Sequence, residues 1–117
     1  MRPLAALAAA AVMFAPLAAL ADPVGRYNIS GTNPGNGSAY NGTVSVERTG
    51  ETYRVIWRVG STRYFGTGIG NKDFLAVSYR SGRDTGVALY GPAGDGWVGV
   101  WTYAGGREVG SERWKRQ

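Results

Sequence analysis

The 117-residue chain has neither cysteine nor histidine. Without cysteine there is no disulfide to staple a small fold and no thiolate nucleophile. Without histidine the commonest general base near neutral pH is gone. Together the two absences remove the soft ligands that zinc and copper sites draw on, so no metal and no cofactor is expected. Helical signal is equally scarce: after Ala21 no stretch sustains apolar residues at a 3.6-residue period. Acid is the minority charge, with 8 Asp and Glu against 13 Lys and Arg and a net charge of +5. That excess attracts acidic partners only in a general way. Asp73, Asp84 and Asp95 stand in turn-like stretches, where aspartate ordinarily bonds backbone N–H groups. Gly94-Asp95-Gly96 lacks the alternating acids of a calcium loop. Gly66-Thr67-Gly68-Ile69-Gly70 has the glycines of a phosphate loop but no helix after it. No catalytic residue can be named, and the chain reads as non-enzymatic.

What is present begins with a leader. Arg2 precedes an apolar, alanine-rich run from Leu4 to Phe14, and Pro16 precedes Ala19-Leu20-Ala21. This has the layout of a cleaved signal peptide, too short in its apolar part for a comfortable membrane span. The expected mature domain is 22–117, one unit exported to the periplasm or beyond. A chain of that size buries roughly 65% of its unfolded surface, enough for one core.

Glycine organises this domain: all 19 glycines fall after the leader, interleaved with aromatic and β-branched residues. Reversals are expected at 33–38, Thr49-Gly50, Gly60-Ser61, 70–73, 81–84, 91–96 (with Asp95-Gly96 as its strongest pair) and 104–106. They separate eight strands, at 24–31, 39–48, 51–59, 62–69, 74–80, 85–90, 97–103 and 107–115. Short antiparallel strands joined in sequence make a meander, and eight of them can close without exposed edges. An all-β, eight-stranded antiparallel up-and-down barrel is the expected fold, with an open β-sandwich as the alternative.

The strands differ in patterning. Tyr53, Val55, Trp57 and Val59 share one face against Thr52, Arg54 and Arg58, and Val44 and Val46 oppose Thr43, Ser45 and Glu47. Those strands have one dry and one wet face. The fifth to seventh strands are apolar on both, through Phe74, Ala76, Val98 and Val100 among others. In a barrel the outer set forms an apolar patch, expected to meet a second copy or a protein partner unless another segment covers it.

The stretch Asp95-Gly-Trp-Val-Gly-Val-Trp-Thr-Tyr103 puts Trp97, Gly99, Trp101 and Tyr103 on one face. Its first reading is packing, with Gly42, Gly66, Gly68 and Gly110 making room for rings in a tapering interior. The second is a ligand cavity at one end of the barrel, lined by Tyr53, Trp57, Trp101, Tyr103 and Trp114. Glu112 shares the inward face of the last strand with Gly110 and Trp114. A buried carboxylate needs an arginine or several donors, so Glu112 is read as an internal pair fixing register or as a polar anchor for a ligand. Arg54, Arg58 and Arg63, and the cationic end Arg113, Lys115 and Arg116, offer electrostatic contact to polyanions, or simply a solvated surface. No specific nucleic-acid motif accompanies them. Three glycosylation sequons, at Asn28, Asn36 and Asn41, are read as chance in a turn-rich sequence with a bacterial-looking leader.

Several spacings carry a family likeness: Gly25-x-Tyr27, Tyr40-x-Gly42-x-Val44-x-Val46, Tyr53-x-Val55-x-Trp57, Leu75-x-Val77-x-Tyr79, Gly86-Val87-x-x-Tyr90, and Gly99-x-Trp101-Thr102 followed by Gly110-x-Glu112. In these the chain resembles small exported proteobacterial proteins labelled hypothetical or fibronectin-binding, and the resemblance implies adhesion to a matrix protein. More distantly it is similar to calycin-type barrels such as avidins and lipocalins, although their opening Gly-x-Trp is Gly25-x-Tyr27 here and biotin binding is not implied. Two functional expectations follow: an exported binding module, adhesin-like or holding a small ligand, and a structural or inhibitory envelope protein docking on one partner.

Overall fold

The computed structural model describes residues 22–117, and the expected leader, residues 1–21, lies outside the described residues. Eight strands follow one another: β1 (Gly25–Thr32), β2 (Ala39–Thr49), β3 (Thr52–Val59), β4 (Thr62–Gly70), β5 (Leu75–Ser81), β6 (Asp84–Ala93), β7 (Gly96–Tyr103) and β8 (Gly110–Arg116). Each pairs antiparallel with its sequence neighbours, and β8 pairs with β1, so the sheet is a closed up-and-down barrel.

Tight turns set the register. Four reversals use only two residues, Gly50-Glu51, Gly60-Ser61, Gly82-Arg83 and Gly94-Asp95. Gly50 and Gly94 take φ of 61° and 58°, which suits the first central position of a type II′ hairpin and its twist. The last of these turns lies one residue earlier than the sequence suggests. Gly94 takes the left-handed conformation, so Gly96 enters β7 and Ala93 pairs with it. β6 consequently runs on through Gly91-Pro92-Ala93 instead of stopping at Tyr90. β8 starts at Gly110, not at 107. The segment before it stays a loop, held by Gly106 N–H donating to Tyr103 O (2.8 Å) and by Thr102 Oγ1 donating to Glu108 O (2.7 Å).

Strand alternation fills the barrel. Tyr27, Ile29, Val44, Val46, Tyr53, Val55, Trp57, Leu75, Val77, Tyr79, Ala88, Tyr90, Trp97 and Trp114 form one buried cluster. Such crowding works because several rings lie over glycines of the adjacent strand. Tyr40 pairs with Gly31, Tyr79 with Gly86, Tyr90 with Gly99 and Trp101 with Gly110. A Cβ at Gly99 would stand 2.5 Å from Tyr90 Cδ1, and one at Gly110 would stand 2.8 Å from Trp101 Nε1. These are ring-over-glycine pairs of the kind that pin register in strongly curved sheets.

The two ends differ. At one end Pro23 is fully buried and its carbonyl accepts from the Tyr27 hydroxyl (2.7 Å). Arg116 clamps this plug: it donates to the carbonyls of Asp22 (3.0 Å), Val24 (3.0 Å) and Asp95 (3.2 Å) and lies 4.8 Å over the Tyr27 ring. Arg116 is thus structural, while Arg113 and Lys115 of the expected cationic end are exposed. At the opposite end the longer connections, 33–38 and 104–109, flank the mouth. On the outer wall Ile69, Ala76, Leu89 and Val100 lie side by side across β4 to β7, and Phe74, Val87 and Val98 are exposed nearby.

An aromatic cavity with an acidic floor

The interior is divided at Glu112. This residue is 5% exposed, the one charged side chain in the buried set of the described residues. In the ladder it faces Gly31 of β1 on one side and Gly99 of β7 on the other. Those glycines leave room for the rings beyond them, Tyr40 of β2 and Tyr90 of β6. Tyr–Gly–Glu–Gly–Tyr therefore forms one row across five strands, and both phenols point their hydroxyls at the carboxylate.

Four donors meet it. Trp57 Nε1 (2.9 Å), Trp114 Nε1 (2.7 Å) and Tyr90 Oη (2.8 Å) donate to Oε1, and Tyr40 Oη donates to Oε2 at 2.5 Å. The sequence reading allowed an internal ion pair, but no arginine or lysine takes part. The partners are neutral, and neutral donors convergent on a carboxylate form charge-assisted bonds. An indole N–H cannot accept, so both tryptophans depend on this one acceptor.

Above Glu112 the barrel is hollow. A cavity of about 320 Å³ opens toward the mouth, its wall contributed by Tyr40, Trp57, Tyr64, Tyr79, Tyr90, Trp101 and Tyr103, with Ala88 and Val59 filling gaps, Asn33 and Asp84 at the rim and Glu112 at the floor. The rings brace one another edge to face: Trp57–Tyr79 and Tyr64–Tyr79 at 6.0 Å, Tyr79–Trp101 at 6.2 Å and Trp101–Tyr103 at 5.3 Å. Burial pushes the Tyr79 phenol up to about 12, and burial together with the nearby Glu112 carboxylate holds those of Tyr40 and Tyr90 well above the usual tyrosine range. All three are thus hydroxyls, and none is a phenolate, at physiological pH. Trp101 Nε1 is buried against Gly110 with no hydrogen-bond partner, alone in this among the described residues.

The candidate ligand residues divide between the two halves. Trp57, Trp101, Tyr103 and Glu112 line the cavity. Trp114 lies beneath, stacked on Tyr27 (5.2 Å) and Tyr90 (4.4 Å), and reaches Glu112 from below. Tyr53 belongs to the closed half, where its hydroxyl accepts from Arg48 Nη2 (2.7 Å). Tyr40, Tyr64, Tyr79, Tyr90, Asn33 and Asp84 were not among the ligand residues expected from the sequence. Period-2 alternation places Tyr79 with Leu75 and Val77, and Tyr90 with Ala88, so their inward direction was available. Their height along the barrel was not. Gly66 to Gly70 lies within β4, with no helix after it. Among the described residues no group of three or more acidic side chains is placed to hold a metal ion, and no helix is long and apolar enough to cross a membrane.

No protein-family model and no curated protein matches the chain. A solved structure does: a redesigned β-barrel, at a TM-score of 0.69 and 14% identity, over 86% of this chain and 95% of that one. At that identity the likeness shows the barrel fold alone.

Proposed function

We propose that this chain is an exported, non-enzymatic binding protein that holds one small molecule in the open half of its barrel. The observation that carries this reading is the cavity itself. At about 320 Å³ it falls in the range of small-molecule sites, and it combines an aromatic wall with a few polar groups at floor and rim. Packing alone would fill this space, as it does the half below Glu112. Adhesion to a matrix protein, implied by the resemblance above, would fall to the outer wall, since the cavity cannot admit a folded partner.

An NMR titration of the mature domain against small aromatic and apolar compounds tests the proposal. The indole N–H signals of Trp57 and Trp101 shift with at least one class. Ala88→Phe, which projects a ring into the cavity from β6, abolishes the shifts while circular dichroism stays unchanged. Tyr103→Ala at the rim weakens binding without touching the core. If no compound moves the cavity signals, the reading fails.

A second reading rests on the apolar row Ile69, Ala76, Leu89 and Val100. In it that face docks against another copy of the chain, and sedimentation at tens of micromolar distinguishes the two. A strict monomer removes the docking reading and leaves the cavity reading intact.

A further inference from the structure

The distribution of charge around the cavity narrows the kind of molecule that fits. The chain carries 13 basic side chains and 8 acidic ones, yet the cavity wall contains two acids and no base: Asp84 at the rim and Glu112 at the floor. The formal charge of Glu112 is met only by neutral donors. The Lys72–Asp73 salt bridge lies on the surface, away from the cavity lining. A cleft with one sign of charge and low-dielectric walls focuses its field into the opening. The aromatic wall adds to it wherever a ring turns its face to the cavity, because that face is the negative region of the ring and attracts cations. The hydroxyls of Tyr40, Tyr79 and Tyr90, kept protonated by burial, add no anion to the wall.

Resting on the small-molecule reading, we propose that the cavity selects a small organic cation, a quaternary ammonium or a protonated tertiary amine with a short arm. Its apolar substituents lie against Trp57, Tyr79, Trp101 and Tyr103, and its charge sits between the Glu112 floor and the Asp84 rim. An anionic ligand would meet two carboxylates with no cation to offset them. A neutral apolar one would leave the charge of the floor as it is.

Three isosteric probes separate charge from shape: choline, neutral 3,3-dimethylbutan-1-ol and anionic 3,3-dimethylbutanoate, titrated calorimetrically into the mature domain with tryptophan fluorescence in parallel. Choline binds at least tenfold more tightly than the alcohol, and the anion shows no binding. Asp84→Asn cuts the preference for choline several-fold, whereas Asp95→Asn, in a turn at the closed end, leaves it unchanged. If the alcohol equals or exceeds choline, the cation inference is overturned and the small-molecule reading stands. If none of the three binds, and the broader NMR titration is also silent, both fall. An unchanged preference in Asp84→Asn overturns the role of the rim.

Discussion

Replacing Glu112 separates what its charge does from what its shape does. In Glu112→Gln the amide oxygen can occupy the Oε1 position and keep Trp57, Trp114 and Tyr90 satisfied. The amide NH₂ then faces Tyr40, whose hydroxyl turns its hydrogen away and accepts instead. The Tyr40 hydrogen turns toward the open cavity, and the three bonds to Oε1 lose the charge of their acceptor. Charged-partner bonds contribute about 1.5–3 kcal/mol against about 0.5–1.5 for neutral ones, so the loss is roughly 4 kcal/mol gross. Part of it is offset because a buried charge no longer has to be desolvated, which leaves about 1–3 kcal/mol net. For a domain of this size that is a fall in melting temperature on the order of 5–20 °C. Glu112→Leu is harsher, since its four donors are left without an acceptor at about 1–3 kcal/mol each. That approaches or exceeds the whole stability of a typical domain, about 5–15 kcal/mol. Thermal and urea melts followed by tryptophan fluorescence measure both. The expected order is wild type, then Gln, then Leu, with Leu unfolded or barely folded at room temperature. A Leu variant melting within a couple of degrees of the wild type would refute the argument, because the four donors would then have no need of the carboxylate.

Other expectations come from the same interior. Tyr90 keeps its phenolic proton in the folded state well beyond the pH at which an unfolded tyrosine loses it. Stability is therefore level in this respect below about pH 10 and then falls, by up to about 1.4 kcal/mol per pH unit for such a tyrosine, as only the unfolded chain ionises. Tyr79 is half-ionised near 12, and absorbance at 295 nm should show the Tyr90 and Tyr40 phenolates appearing only with unfolding. Gly99→Ala would push a methyl into the Leu89 carbonyl and the Tyr90 ring, and overpacking of this kind costs about 1–3 kcal/mol; an unchanged urea midpoint would count against the ring-over-glycine account. Arg116→Met removes three carbonyl contacts and the stack on Tyr27. Hydrogen exchange should then rise at the Tyr27 end, and protease should reach residues 22–24, with the mouth of the barrel unaffected.

Much of the architecture can be read directly from the residues, because alternation and turn chemistry are local. Val44 and Val46, or Tyr53, Val55 and Trp57, announce their inward face two residues at a time, and Gly50 or Gly60 marks a reversal on its own. The candidate site is a different matter, because it depends on which residues stand at the same height on different strands. Tyr53 and Trp57 share a face, yet four residues of strand separate them by about 13 Å, enough to put one in the solid half and the other on the cavity wall. The row from Tyr40 through Gly31, Glu112 and Gly99 to Tyr90 draws on five strands whose relative offsets are set by the loops between them. A shift of the β6–β7 turn by a single residue, as between Asp95-Gly96 and Gly94-Asp95, is enough to misplace such a row. The carboxylate of Glu112 was recognisable as a group in need of partners; four neutral rings rather than an arginine supply them, two of which, Tyr40 and Tyr90, lie over the glycines beside it.

Glu112 lies on the last strand, and this has a consequence for how the chain reaches its final state. Trp57, Tyr40 and Tyr90 all leave the ribosome, or any translocation channel, well before the acceptor they share. Closure of β8 onto β1 and delivery of that acceptor are one event. Partially emerged chains therefore have no stable interior to settle into.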